Sequence, residues 1–157
     1  MMIQRIQTVF LFLAAVCCAL LFFFPFAEFE GVTSFIRFSA LGITNLTPSE
    51  NPISFPSTWL LLAIIIVSVV LPIATIFLYK KPAIQLHAIR FTFLLVTILL
   101  ALVFFYYNEQ IEKAIDFRSL SYDFGIYIPL INMLFLLLAM RGIRSDINKI
   151  RSIDRLR

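Results

Sequence analysis

The chain is 157 residues long, 61% hydrophobic and only 14% charged, and eighteen of its residues are phenylalanine. Soluble domains carry about 25% charged residues, so a mean hydropathy of +0.97 excludes an ordinary water-soluble domain and calls for lipid as the solvent. The formal charge of +4 does not make nucleic acid a partner, because the basic residues gather at the ends of apolar runs, where topology accounts for them.

Four runs are expected to span: residues 8–24, 59–79, 91–107 and 124–140. At about 17 to 21 residues and 1.5 Å per residue, each covers a hydrocarbon core of about 30 Å. None contains Asp, Glu, Lys, Arg or His. The fold class is therefore an all-α transmembrane four-helix bundle, in one membrane domain over residues 1–157, with outer loops 25–58 and 108–123 and a cytoplasmic tail 141–157. The first run is too long for a signal h-region and ends in FFFPFAEFE, without a small-x-small cleavage site, so an uncleaved anchor is expected. Cys17 and Cys18 lie inside it. Neighbours on a helix point about 100° apart, which suits neither a disulfide nor a metal, and both read as small apolar fillers.

The first outer loop has a turn at Glu30-Gly31 and then alternates Ile36, Phe38 and Ala40 with Arg37 and Ser39. Period two predicts a short antiparallel β hairpin over about Phe26–Ile43, lying on the outer ends of the helices. Pro48, Pro52 and Pro56 mark a turn-rich return, and the Asn45-Leu46-Thr47 sequon matters only in a eukaryotic secretory pathway. In the second run, Pro72 predicts a kink, as does Pro129 in the fourth. The second outer loop, through NEQIEKAIDF, predicts one or two helical turns with Ile111, Ala114 and Ile115 on one side, a water-facing cap. Trp59, Tyr79, Tyr106, Tyr107 and Tyr127 fall at expected membrane interfaces.

Charge fixes the orientation. Arg5, Lys80, Lys81, Arg90, Arg141, Arg144, Lys149, Arg151, Arg155 and Arg157 lie on one side, against Arg37, Lys113 and Arg118 on the other. Of the acidic residues, only Asp146 and Asp154 lie on the first side. The positive-inside rule then makes both termini cytoplasmic.

Chemistry is sparse. The single histidine, His87, sits in a basic loop without metal-ligand partners, and no glycine-rich phosphate loop or Cys-x-x-Cys occurs. No catalytic, metal or cofactor residues are assigned, and no cofactor is expected. Coupled carriers keep ionisable groups in the bilayer, and these runs hold none. Glu28, Glu30 and Glu109 are the only outer carboxylates placed to share a cation, and independent surface carboxylates are the simpler reading. Asn132 is the most polar group well inside a run, an intramembrane contact to a neighbouring helix.

The tail holds the one functional pattern. On a helix continued from the fourth run, Arg144, Arg151 and Arg155 fall within about 40° of one another, beside an apolar stripe of Ile143, Ile147 and Ile150. That combination suits an interfacial helix on membrane lipid or a docking helix for an acidic protein. Arg155 lies about 20 Å beyond Met140 on such a helix, farther out than topology alone requires.

The two ends, MIQRIQT (Met2–Thr8) and RSIDRLR (Arg151–Arg157), resemble a family of small four-helix membrane proteins of Bacteroidota known only as a domain of unknown function. The likeness covers the whole chain and implies a bacterial inner-membrane location; it transfers no site residues. The layout, with a β-containing first outer loop, is also similar to that of claudin-type proteins by architecture only. The leading expectation is a non-enzymatic accessory or scaffold subunit docking through its tail or outer hairpin. The alternative is a small oligomeric transporter or channel lined by Asn132, Ser68, Thr75 and Thr97. A lipid-directed enzyme using outer carboxylates ranks last.

Overall fold

The computed structural model describes residues 2–32, 34–47, 55–78, 81–115 and 117–154. The protein is mostly helical, with one small antiparallel sheet. Helix α1 (Met2–Leu20) leads into strands β1 (Ala27–Gly31), β2 (Phe35–Ser39) and β3 (Gly42–Asn45). Helices α2 (Trp59–Phe77) and α3 (Pro82–Ala101) follow; α3 continues through a π-helical turn, Leu102–Tyr107, into α4 (Asn108–Ala114). Strand β4 (Phe117–Tyr122), a 3-10 turn (Phe124–Ile126) and α5 (Tyr127–Asp154) complete the chain.

The helix ends have local causes. α1 tightens before Pro25: Leu21, Phe22 and Phe23 donate to the carbonyls of Cys18, Ala19 and Leu20, three residues back. Helix therefore stops four residues before the end of the apolar run, because the residue preceding a proline is pushed out of the helical region. Pro82 occupies the first turn of α3, where a missing N–H costs nothing. Pro129 does the same for α5. Since α5 begins at Tyr127, the expected kink in the fourth run is corrected: the proline sits among N–H groups with no intrahelical acceptor. Pro72 is truly interior to α2 and deprives the Ser68 carbonyl of its helical donor.

The helices pack in a ring, α1 against α2 and α5, and α3 against the same two. The short α2–α3 connection makes those neighbours antiparallel. Inside, two apolar clusters divide the length. The outer one joins Leu21, Leu61, Ile65, Leu99 and Val103 to the sheet residues Phe29, Ile36 and Phe38. The inner one holds Leu11, Ala14, Leu86, Ile89, Leu136 and Ile143. The outward faces are equally apolar, with Phe12, Ile66, Val70, Leu94, Phe105 and Leu134 all exposed. Three helices are long and apolar enough to cross a membrane: Trp59–Phe77, Pro82–Ala114 and Phe124–Asn148. The apolar part of α1, Ile6–Leu20, is shorter.

The period-two signal of the first outer loop yields its β element. Ala27, Phe29, Ile36 and Phe38 are buried on the inner face while Glu30 and Arg37 point outward. The expected hairpin is larger than anticipated, however, because β3 adds to β2, and the strand order is β3-β2-β1-β4. The second outer segment also differs from a simple helical cap. Its NEQIEKA part is helical, as α4, but Phe117–Tyr122 forms β4 and pairs with β1, with Ala27 opposite Tyr122 and Phe29 opposite Leu120. Alternation of Ser119 and Ser121 with Leu120 and Tyr122 supplies the two faces a strand needs.

The join between this sheet and α5 is tight. Gly125 donates its N–H to the Pro25 carbonyl at 3.0 Å, and Asp123 donates to Phe26 O at 3.1 Å. A Cβ at position 125 would collide with the Pro25 carbonyl. Gly125→Ala is therefore expected to lower stability by about 1–3 kcal/mol, the usual cost of overpacking a rigid contact. Thermal unfolding of the detergent-solubilised protein measures it; an unchanged midpoint would mean that the β1–α5 join yields freely.

Candidate functional site

Polar groups in an apolar interior must either be bonded or carry a cost, so they mark the places where this protein could act. Midway along the ring, fully buried Asn132 donates its Nδ2 to Cys18 Sγ at 2.8 Å, linking α5 to α1. Its carbonyl Oδ1 and the hydroxyl of buried Ser68 find no partner among the described residues. Both lie where the two apolar clusters meet, Ser68 between Ile65 and Val69, Asn132 between Ile128 and Leu136. The other candidates for a polar path are not gathered there. Thr75 donates to Leu71 O, and Thr97 donates to Phe93 O from the exposed side of α3. Such back-bonding one turn up the same helix satisfies a hydroxyl without a neighbour.

At the end bearing both termini, Gln7 donates to Asp146 Oδ2 at 2.6 Å, and a Cβ at Gly142 would lie 2.8 Å from Gln7 Cγ. A small residue here lets α1 and α5 approach closely. Ile143 is buried and Ile147 packs on the inner cluster. The apolar stripe expected to be free for docking is thus covered by the protein itself over its first two members. Arg144, about 100° round the helix from Ile143, is exposed. Arg151 falls in the last turns of α5, and Arg155 lies outside the described residues. His87 is exposed in the first turns of α3, its ring Nδ1–H donating to Ala83 O at 2.8 Å.

At the opposite end, Tyr107 is 1% exposed, not an interfacial ring as the sequence suggests. Its hydroxyl donates to Ser57 O at 3.0 Å and its ring stacks on Phe38 at 5.3 Å. The adjacent Asn108 donates to the Tyr122 hydroxyl at 3.3 Å, and its own Oδ1 finds no partner among the described residues. The outer carboxylates are dispersed. Glu28 pairs with Arg37 at 2.8 Å, Glu30 accepts from Ser119, and Glu109 accepts from Lys113 at 2.6 Å, which holds that carboxyl below its ordinary range. Three carboxylates with three different partners do not form one cation site, and among the described residues no group of three or more His, Cys, Asp or Glu side chains could hold a metal ion. Gln7, Asp146 and Gly142 carried no sequence signal, because each is meaningful only beside the other helix.

Residues 3–156 match the family described as a domain of unknown function (DUF4293), and the chain belongs to that family. No curated protein matches the chain.

The contact at Asn132 has a measurable consequence. The amide's one bond goes to a thiol sulfur, a weak acceptor that costs little when left alone, and its Oδ1 finds no partner among the described residues, so an apolar residue of similar shape loses little. Asn132→Leu is expected to change thermal stability in detergent by no more than about 1 kcal/mol. A loss several times larger would show that the amide organises the interior beyond its bond to Cys18.

Proposed function

We propose that this member of a family without an assigned activity is a four-span protein of the bacterial inner membrane, both termini cytoplasmic, acting as a non-enzymatic accessory or scaffold subunit. In this reading α1 is the fourth span, its apolar length extended by the 3-10 turn through Phe24. The ring of helices is the anchor, and the α5 extension is the docking surface, through Arg144, Arg151 and Arg155. The observation that carries the reading is the division of labour on α5. Ile143 and Ile147 are taken up by the protein's own apolar cluster, while Arg144 remains exposed beside them. An extension tied down on one face and basic on another is rigid, so a partner binding there loses little order. The partner is an acidic protein surface. Anionic headgroups, worth about 1 kcal/mol per nearby basic residue, are the competing occupant.

A small oligomeric transporter or channel is the second reading. It is favoured by the Ser68 hydroxyl and the Asn132 carbonyl, which find no partner among the described residues at mid-length of the helices.

Two experiments test the proposal. A reporter active only outside the cytoplasm is expected to be silent when fused after Arg157 or Lys81 and active when inserted near Ser49; the reverse pattern overturns the orientation. Replacing Arg144, Arg151 and Arg155 together with glutamine is expected to leave insertion intact, since Arg141, Lys149 and the α2–α3 loop still satisfy the positive-inside rule. The same variant should lose the protein recovered with the wild type from mildly solubilised native membranes at physiological salt. Equal recovery would reduce the tail to a topology signal, and loss of vesicle binding alone would assign it to lipid.

A further inference from the structure

The two edges of the sheet differ. β3, at one edge, is four residues long and faces the segment entering α2, residues 55–59, across an open groove. β4, at the other, has six residues, and among the described residues no element but β1 runs alongside it. Arg118, Ser119, Ser121 and Tyr122 are exposed. Sheet edges are usually blunted by Pro, Lys or a bulge. FRSLSY contains neither Pro nor Lys, and its one irregularity lies at its start, where the register with β1 shifts between Glu30 and Gly31. Residues 119–122 are regular strand.

The backbone groups of successive strand residues point to opposite sides. Asp123 donates to Phe26 O, so the groups of Ser121 and Ser119, two and four residues earlier, face β1 opposite Glu28 and Glu30. The N–H and C=O of Leu120 and Tyr122 therefore point away from the sheet, in a row that a further strand is shaped to pair.

The strand matches itself. With a two-fold axis through Ser121, each Leu120 exchanges both backbone bonds with the partner's Tyr122. The two Ser121 residues then face each other as the close, non-hydrogen-bonded pair, with Cα atoms about 4.5 Å apart, a spacing that small side chains allow. The same register sets Arg118 of each strand beside the partner's Asp123, the basic end of one against the acidic end of the other. The inner face of the sheet, with Phe29, Ile36 and Phe38, packs on Leu61, Leu99 and Val103 near the helix ends. The free side of β4 thus looks sideways from the bundle, and an axis perpendicular to the sheet runs along the helices. Two copies that enter one bilayer in the same orientation need a two-fold axis of that direction.

We propose that two copies of this chain associate by antiparallel pairing of β4 with β4, joining their sheets into one. The direction of the axis rests on the membrane reading above, and the interface gives the sheet end a partner that the basic tail does not supply.

Ser119 and Ser121 are exposed on the same face, two residues apart, so cysteines at the two positions meet other chains by chance equally often. The full chain carrying Ser121→Cys or Ser119→Cys is reconstituted in phosphatidylcholine vesicles at a low protein-to-lipid ratio and mildly oxidised. The wild type, which retains Cys17 and Cys18, is the blank. Ser121→Cys is expected to give a disulfide-linked dimer, since about 4.5 Å is within bridging distance, and Ser119→Cys is expected to give none. Equal dimer from both, or none from Ser121→Cys, overturns the interface. In the Ser121→Cys chain, Leu120→Pro removes an N–H that the single copy does not use in its ladder. It is expected to abolish the dimer, whereas Leu120→Ala, which loses the same side chain and keeps the N–H, retains it at a similar unfolding midpoint. Dimer that survives Leu120→Pro overturns the backbone pairing; if that variant unfolds early, the contrast between Ser121 and Ser119 still decides. A chain washed from the vesicles at alkaline pH overturns the membrane reading, a failure distinct from an embedded chain that stays monomeric.

Discussion

The sheet end of the protein depends on β1 having a partner on both sides. Its pairing with β2 is local, but its pairing with β4 joins segments 89 residues apart at Glu30 and Ser119. Closing so long a loop has an entropic cost that grows slowly with its length, and the ladder is backed by the bonds from Gly125 to Pro25 and from Asp123 to Phe26. Together these fix the exit of α1 against the entry of α5. The sheet can then lay Phe38 over Tyr107, an aromatic contact worth about 0.5–1.5 kcal/mol beyond its burial. The long-range pairing thus positions the locally formed β1–β2–β3 part of the sheet over the helix ends.

The π-helical turn fits the same constraint. In a regular α-helix two successive residues point about 100° apart, so Tyr107 and Asn108 would not both face inward. Widening the helix over Leu102–Tyr107 relaxes that limit, and both residues are buried. Tyr107 then reaches Ser57 on one side and Asn108 reaches Tyr122 on the other. π turns are rare and tend to occur at functional sites. Here the turn seats the sheet through Phe38 and ties the segment entering α2 through Ser57.

The elements legible in the sequence were those whose signal is local. Period two in FIRFS is visible without a partner, and long uncharged runs identify helices that suit a bilayer. FRSLSY alternates as well, yet its meaning as β4 comes from β1, and the helical NEQIEKA just before it favoured a cap. LVFFYY gives no sign of a π turn, since every residue in it is apolar or aromatic and only the packing distinguishes inward from outward. Pro129 showed a different limit. Its effect depends on whether the helix begins two residues or many residues earlier, and apolar runs do not mark helix starts. Asn132 stood out as the polar residue in its run, but its partner Cys18 could not be read from a pair of cysteines that look like filler.

The tail shows how packing changes the meaning of a correct pattern. Ile143 and Ile147 do form a stripe at helical spacing, and Arg144 does lie on a different face. A stripe on a chain end reads as a surface awaiting a partner, whereas Gly142 admits Gln7, Gln7 bonds Asp146, and the first two isoleucines join the protein's own apolar cluster. Close backbone approach and a hydrogen bond between helices are the kind of attraction that does not depend on apolar burial. The same contacts hold the base of the α5 extension against α1 and leave Arg144 exposed beside it. The contacts that tie elements together, Gln7 with Asp146 at this end, Asn132 with Cys18 at mid-length and Tyr107 with Ser57 at the other, are thus few and polar, and among the described residues the interior between them contains no charge.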